Sequence, residues 1–172
     1  IYGAEAGNGV VLITTKKGSK GQGHISYEFQ NTIQSLAQKP KLLNSAEYID
    51  YMTTAGLIDQ NKIDSQWDGT TDSDWVGAIF ENSYMQKHTL NFKGGNESGN
   101  YYLSLGYLDN DGIIVGKNDT YSRLTATINA EYKVAPWLTV GTTNNIARTH
   151  RNNVVTNQGV SNLLISAILY DP

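Results

Sequence analysis

The sequence predicts an all-β protein of long amphipathic strands, either a membrane β-barrel or a soluble β-sandwich, with short helices in its connections. Three observations lead there. Apolar and polar residues alternate over segments of about ten residues, longer than the usual ~5–6-residue strand and close to the ~9–11 residues that a tilted strand needs to cross a bilayer. Charged residues make up only 17 % of the chain, below the ~25 % of average soluble domains, while 17 Gly and 11 Tyr join many Asn, Thr and Ser. No apolar run is long enough for a transmembrane helix, and a mean hydropathy of −0.40 suits alternating membrane strands as well as water-facing ones.

Residues 9–16, GVVLITTK, form a β-branched run bounded by glycines and read as a buried strand. GSKGQG (18–23) follows as a flexible, mildly basic connector and the best candidate for a domain boundary. From residue 24 the alternation is strict, with Ile25, Tyr27, Phe29 and Ile33 on one face and Ser26, Glu28, Gln30, Thr32 and Gln34 on the other. Pro40 breaks it. Asn44 and Glu47 have the spacing of a capping box, which predicts a short helix presenting Tyr48, Ile49 and Met52. A second helical turn is expected at DWVGAIFE (74–81), inside a long connection of the kind that often carries function.

QKHTLNFK (86–93) and NYYLSLGYL (100–108) form a hairpin around GGNESGN. His88, Leu90 and Phe92 share one face of the first strand, and Tyr101, Leu103, Leu105 and Tyr107 one face of the second. DNDG (109–112) predicts a tight reversal with Asp-Gly at positive φ. In RLTATINAEYKV (123–134), Leu124, Ala126, Ile128, Ala130, Tyr132 and Val134 alternate with Arg123, Thr125, Thr127, Asn129, Glu131 and Lys133. Pro136-Trp137 turn the chain into LTVGTTNNIARTH (138–150), and SNLLISAILYDP (161–172) reads as a short apolar helix.

Composition excludes several functions. A net charge of −3 and a pI near 5.5 argue against a protein held on nucleic acid by phosphate contacts. The absence of Cys rules out disulfides, Cys-ligated zinc and a thiol nucleophile. DNDG lacks the full calcium-loop pattern and reads as a turn, GSKGQG as a linker, and His88 and His150 as polar groups at strand ends. His24, His88 and His150 have no metal-ligand spacing, and no nucleophile elbow occurs. No catalytic, metal, cofactor or ligand-binding residue is assigned, and no enzymatic activity is expected. Tyr27, Tyr101, Tyr107, Tyr121 and Trp137 serve equally as sandwich core, sugar-stacking platform or membrane-interface girdle. A sandwich would need shorter strands with a turn every 8–12 residues or so, whereas 121–135 runs without a turn signal.

IYGAEAGNGVVLITTKKG (1–18) closely resembles the end of the plug domain in the SusC/RagA family of TonB-dependent outer-membrane transporters. Gly7, Asn8, Gly9, Thr14, Thr15, Lys16, Lys17 and Gly18 fit that family's pattern; Glu5 departs from it. The resemblance continues through LLNSAEYIDYM (42–52), DSDWVGAIFENSYMQKHTLNFKGGNE (72–97), NYYLSLGYLDNDGII (100–114) and YKVAPWLTVG (132–141). It implies a fragment of a large antiparallel transmembrane β-barrel of about 22 strands with a plugged lumen. Residues 1–18 would end the plug, 19–23 form a linker, and 24–172 supply the first barrel strands and loops. The chain, which opens at Ile1 without Met or a leader pattern, reads as a piece of a longer protein.

The implied function is TonB-dependent import of oligosaccharides or peptides across the outer membrane of a Gram-negative, Bacteroidetes-like bacterium. The implied partners are a SusD-type surface lipoprotein lid, the TonB complex, the cargo and outer-membrane lipid. The alternative is a soluble all-β carbohydrate-binding module. On the barrel reading Leu124, Ile128, Ala130 and Tyr132 face lipid, and Thr125, Thr127, Asn129 and Glu131 face the lumen. Gly18–Gly23 then tether the plug, with Val10–Thr15 as a fixed anchor.

Overall fold

Long alternating segments that follow one another through turns pair most cheaply with their sequence neighbours, and that is the architecture found. In the computed structural model, which describes residues 9–11, 15–59, 61–63, 67–154 and 162–172, five strands form one antiparallel sheet in chain order. They are β1 (Gly21–Gln34), β2 (Ser83–Gly95), β3 (Gly99–Asn110), β4 (Tyr121–Ala135) and β5 (Leu138–Arg151). Among the described residues three helices, α1 (Ser45–Thr54), α2 (Trp75–Ala78) and α3 (Leu163–Leu169), lie in the connections or after the sheet, and residues 61–63 are helical as well. No helix among the described residues is long and apolar enough to cross a membrane.

The strands hold 12 to 15 residues. At ~3.3 Å per residue and a tilt of ~45°, such strands rise roughly 28–35 Å, close to the ~30 Å of a hydrocarbon core. They outrun the alternation in the sequence. β1 begins at Gly21, so the second half of the GSKGQG connector is strand, and β2 takes in Ser83–Met85 and Gly94–Gly95. Backbone pairing with a neighbour extends a ladder where no side-chain pattern announces it.

Packing of the backbone divides the chain into two units. The first contains Ile1–Glu28, His88–Tyr107 and Leu124–Arg148, and its strand connections are short. Asn96 turns β2 into β3: its carboxamide oxygen accepts from the N–H groups of Ser98 and Gly99 at 2.8 and 3.0 Å. Pro136 and Trp137 alone join β4 to β5. The strand expected over residues 9–16 is not found among the described residues: 12–14 lie outside them, and 9–11 and 15–19 form no ladder. Val10 and Val11 are exposed among the described residues.

The second unit contains Phe29–Lys87, Leu108–Arg123 and Thr149–Pro172, and it carries the long connections. The Asn44–Glu47 capping box forms as expected: Asn44 Oδ1 accepts from Glu47 N at 2.9 Å, and Glu47 Oε2 accepts from Asn44 N at 3.1 Å. Asp74 caps α2, accepting from Gly77 N at 2.6 Å. The expected tight DNDG reversal does not form. β3 continues through Asn110, only Gly112 of the four takes positive φ, and residues 111–120 make a wider connection. Asp119 organises it by accepting from Ile113 N and Ile114 N at 2.9 and 3.1 Å, and Ile114 bridges to Phe80. A carboxylate that caps two backbone donors outweighs the local turn preference of Asp-Gly.

Candidate functional site

The two faces of the sheet differ in chemistry, and their exposure is the reverse of a water-soluble fold. On one face polar side chains satisfy one another. Asn91 donates to Ser26 Oγ at 3.3 Å and accepts from Tyr102 OH at 3.0 Å and Ser104 Oγ at 2.7 Å, linking β1, β2 and β3. Thr125 Oγ1 donates to Gly106 O at 3.3 Å, joining β4 to β3. Tyr102, Ser83 and Asn129 are buried on this face, and Asn91 and Gln34 compensate Tyr102 and Ser83 for lost hydration.

Residues 15–18 cross the same polar face. Asn129 Nδ2 donates to the carbonyl of Lys16 at 2.6 Å, and Lys17 Nζ bonds Glu131 Oε1 at 2.7 Å. Asn100 Nδ2 supports Glu131 from β3 at 3.4 Å. Gly18 passes so close to the strand that a Cβ there would overlap the backbone of Tyr101.

The opposite face is apolar and bare. Ile25, Ile33 and Ile146 are 67 %, 68 % and 64 % exposed, and Phe29, Tyr101, Leu105, Leu124, Tyr132 and Val140 are exposed with them. So wide an apolar surface marks contact with lipid or another apolar partner. A β-sandwich would cover this face with a second sheet; the described strands form a single one, which does not favour the soluble carbohydrate-binding alternative. His88 lies mid-strand on this face rather than at a strand end, and its Nδ1 pairs with Tyr27 OH at 2.7 Å. The strand's length decides this, since β2 starts earlier than its pattern. A polar ring on an apolar surface needs such a partner.

In the second unit, α1, α2 and α3 surround a groove of about 460 Å³, lined by Leu42, Leu43, Tyr48, Trp75, Leu169 and Tyr170 among others. Asp171 ties it together: its carboxylate accepts from Tyr48 OH at 2.7 Å, and its carbonyl accepts from Trp75 Nε1 at 2.7 Å. The hydrogen bond to Asp171, with burial and the carboxylate's charge, holds the Tyr48 hydroxyl above the usual tyrosine range. The N–H of Gly77, helped by Lys39 at 3.1 Å, holds Asp74 below the usual carboxylate range. Asp68 is held below it by the hydroxyl and N–H of Thr71 and the N–H of Thr70. Asp68 and Asp74 accept from backbone N–H groups of their own loop, Asp171 accepts from Tyr48 of α1, and no metal-ligating cluster occurs among the described residues.

No protein-family model matches the chain. It is 35 % identical over 130 residues to the TonB-dependent receptor SusC of Bacteroides thetaiotaomicron, covering 75 % of this chain and 12 % of SusC. It is 26 % identical over 141 residues to the TonB-dependent receptor P3 of Formosa agariphila, covering 82 % of this chain and 13 % of that receptor. Its backbone matches the solved structure of the RagAB peptide importer in the open-open state with a TM-score of 0.78 at 25 % identity, over 91 % of this chain and 21 % of the other. In the closed-closed state the TM-score is 0.72 at 26 % identity, over 88 % of this chain and 20 % of the other. The chain belongs to the SusC/RagA-type TonB-dependent transporters.

This SusC/RagA-type chain spans 12–13 % of the length of those curated relatives. Its five strands correspond to part of the RagA barrel. The side-chain alternation of β4 holds: Leu124, Ile128 and Tyr132 are on the bare apolar face, and Thr125, Asn129 and Glu131 are on the polar one. Asn129, however, is not open to a lumen, because Lys16 covers it. The Asn91 hub and the Asn129–Lys16 contact carry no signal in the sequence, since the partners of the latter stand 113 residues apart. Of the plug motif, Gly7, Asn8 and Thr14 lie outside the described residues, while Lys16, Lys17 and Gly18 make the contacts described above.

Proposed function

We propose that this chain forms the end of the plug and part of the wall of an outer-membrane transporter that imports oligosaccharides or peptides using energy from TonB, under a SusD-type lipoprotein lid. The observation that carries the reading is the reversed amphipathicity of the sheet. Its apolar face is exposed, while on the other face polar side chains of β1 to β4 pair with one another and are crossed by residues 15–18. In a bilayer that arrangement is the favourable one, because lipid covers the apolar side chains and the closed ladders of a barrel leave no backbone group unsatisfied. Residues 1–18 belong to the plug, 19–20 link it to the wall, and the barrel begins with β1 at Gly21, inside the connector expected over 19–23. Bacterial barrels have short periplasmic turns and long extracellular loops. The Asn96 and Pro136-Trp137 turns therefore face the periplasm, and the α1, α2 and α3 segments face outward, where the lid docks. The likeness to the RagAB peptide importer and to SusC supports import of large nutrients. Transport breaks no covalent bond in the cargo, so the chain acts without catalysis.

Cysteine scanning of β4 in the full-length protein, with a membrane-impermeant thiol reagent, tests this. Cysteines at Thr125 and Thr127 should label, those at Leu124, Ile128, Ala130 and Tyr132 should not, and one at Asn129 should be protected by the tail. Equal labelling of both faces would overturn the assignment.

A further inference from the structure

The segment over the polar face has a mechanical consequence. We infer that Asn129 of β4, together with the close passage of Gly18, forms a clasp that holds the end of the plug on the barrel wall throughout transport, so that plug movement occurs upstream of Lys16; this rests on the transporter reading above. Three features support the clasp. Asn129 is 95 % buried by its 5 % exposure, and it holds the carbonyl of Lys16, a backbone atom. Its Oδ1 has no partner among the described residues, so release of Lys16 would leave the whole carboxamide unsatisfied until water entered. Shape adds to this, because Gly18 lies where no Cβ fits against Tyr101. The Lys17–Glu131 pair is half exposed and worth little by itself, so it guides the tail rather than holding it.

The tether is also short. Only Ser19 and Lys20 separate Gly18 from the start of β1 at Gly21, which limits Gly18 to roughly 10 Å from that strand. Such a tether keeps the tail at high effective concentration beside its site, so a clasp that opens closes again. A pull on the plug from the periplasm therefore unravels the chain before Lys16 more readily than it moves the tail along the wall. Val10–Thr15, the anchor suggested by its apolar character alone, is not needed for this hold.

The test uses the full-length transporter with its lipoprotein partner in outer membranes. A Lys17→Cys, Glu131→Cys double variant is joined by a short bis-methanethiosulfonate linker that reductant removes. The linked protein should import at a rate within about twofold of the reduced protein. Import that stops when linked and returns with reductant would overturn the clasp, because the tail would then have to leave. In planar bilayers, Asn129→Leu and Gly18→Ala should each raise the resting ion conductance about tenfold, while Glu131→Gln changes it less than about twofold. Both variants matching wild type would also overturn it. Because conductance needs no cargo, it decides the clasp even if wild-type protein imports nothing, a result that would count against the transporter reading instead.

Discussion

At the residue scale the polar face depends on a few side chains that each serve several partners. Asn91 uses both ends of its carboxamide to bind Ser26, Tyr102 and Ser104, so one substitution strands groups on both neighbouring strands, β1 and β3. Asn91→Leu should therefore lower the unfolding free energy of the full-length barrel in urea by about 2 kcal/mol, more than a neutral polar position would. Asn91→Asp keeps the acceptor for Tyr102 and Ser104, losing only the donation to Ser26, and should lie between the two. Equal midpoints for Asn91→Leu and wild type would show that water replaces the hub. Tyr27 and His88 follow the same logic on the apolar face, where each supplies the other's polar atom with a partner.

At the element scale, helices in the long connections owe their ends to caps rather than to length. A four-residue helix such as α2 cannot persist on propensity, and Asp74 stabilises it by accepting from Gly77 N. The folded pKa of Asp74 is depressed, first by that N–H and then by Lys39. Its contribution is therefore complete above the ordinary carboxylate value of 3.8 and is lost as pH falls through the lower folded value. Hydrogen exchange at Gly77 in the full-length protein should accelerate, beyond its intrinsic pH trend, only below about pH 4. Asp74→Asn should remove that acid-dependent component. An unchanged acid profile in Asp74→Asn would assign the protection elsewhere. Strands behave differently: β4 is stabilised by partners on both sides, whereas β1 and β5 each have one edge without a ladder among the described residues.

At the scale of the whole molecule those two edges and the bare face set the behaviour of the chain alone. β1 and β5 are each 14 residues long, and β5 is exposed throughout. Long open edges beside an apolar surface promote association in water, and in hydrocarbon each unsatisfied backbone group costs several kcal/mol. The 172-residue chain expressed by itself should aggregate or exchange freely at the amides of β1 and β5. A monodisperse monomer that melts cooperatively would contradict this and would return attention to a soluble module.

The sequence by itself determined the local features of this protein. Period-two alternation marked every strand because a pleated chain must send successive side chains to opposite faces. The Asn44–Glu47 box and the Pro136-Trp137 turn were legible because their partners stand within three residues, and the motif of residues 1–18 pointed to the family directly. Only the tertiary structure decided which of the two faces is bare, that β1 begins at Gly21, that His88 is mid-strand, and that Asn129 lies beneath the tail. The reason is register: alternation assigns a residue to a face, but which residues meet across that face depends on how strands distant in sequence slide against one another before their ladders lock.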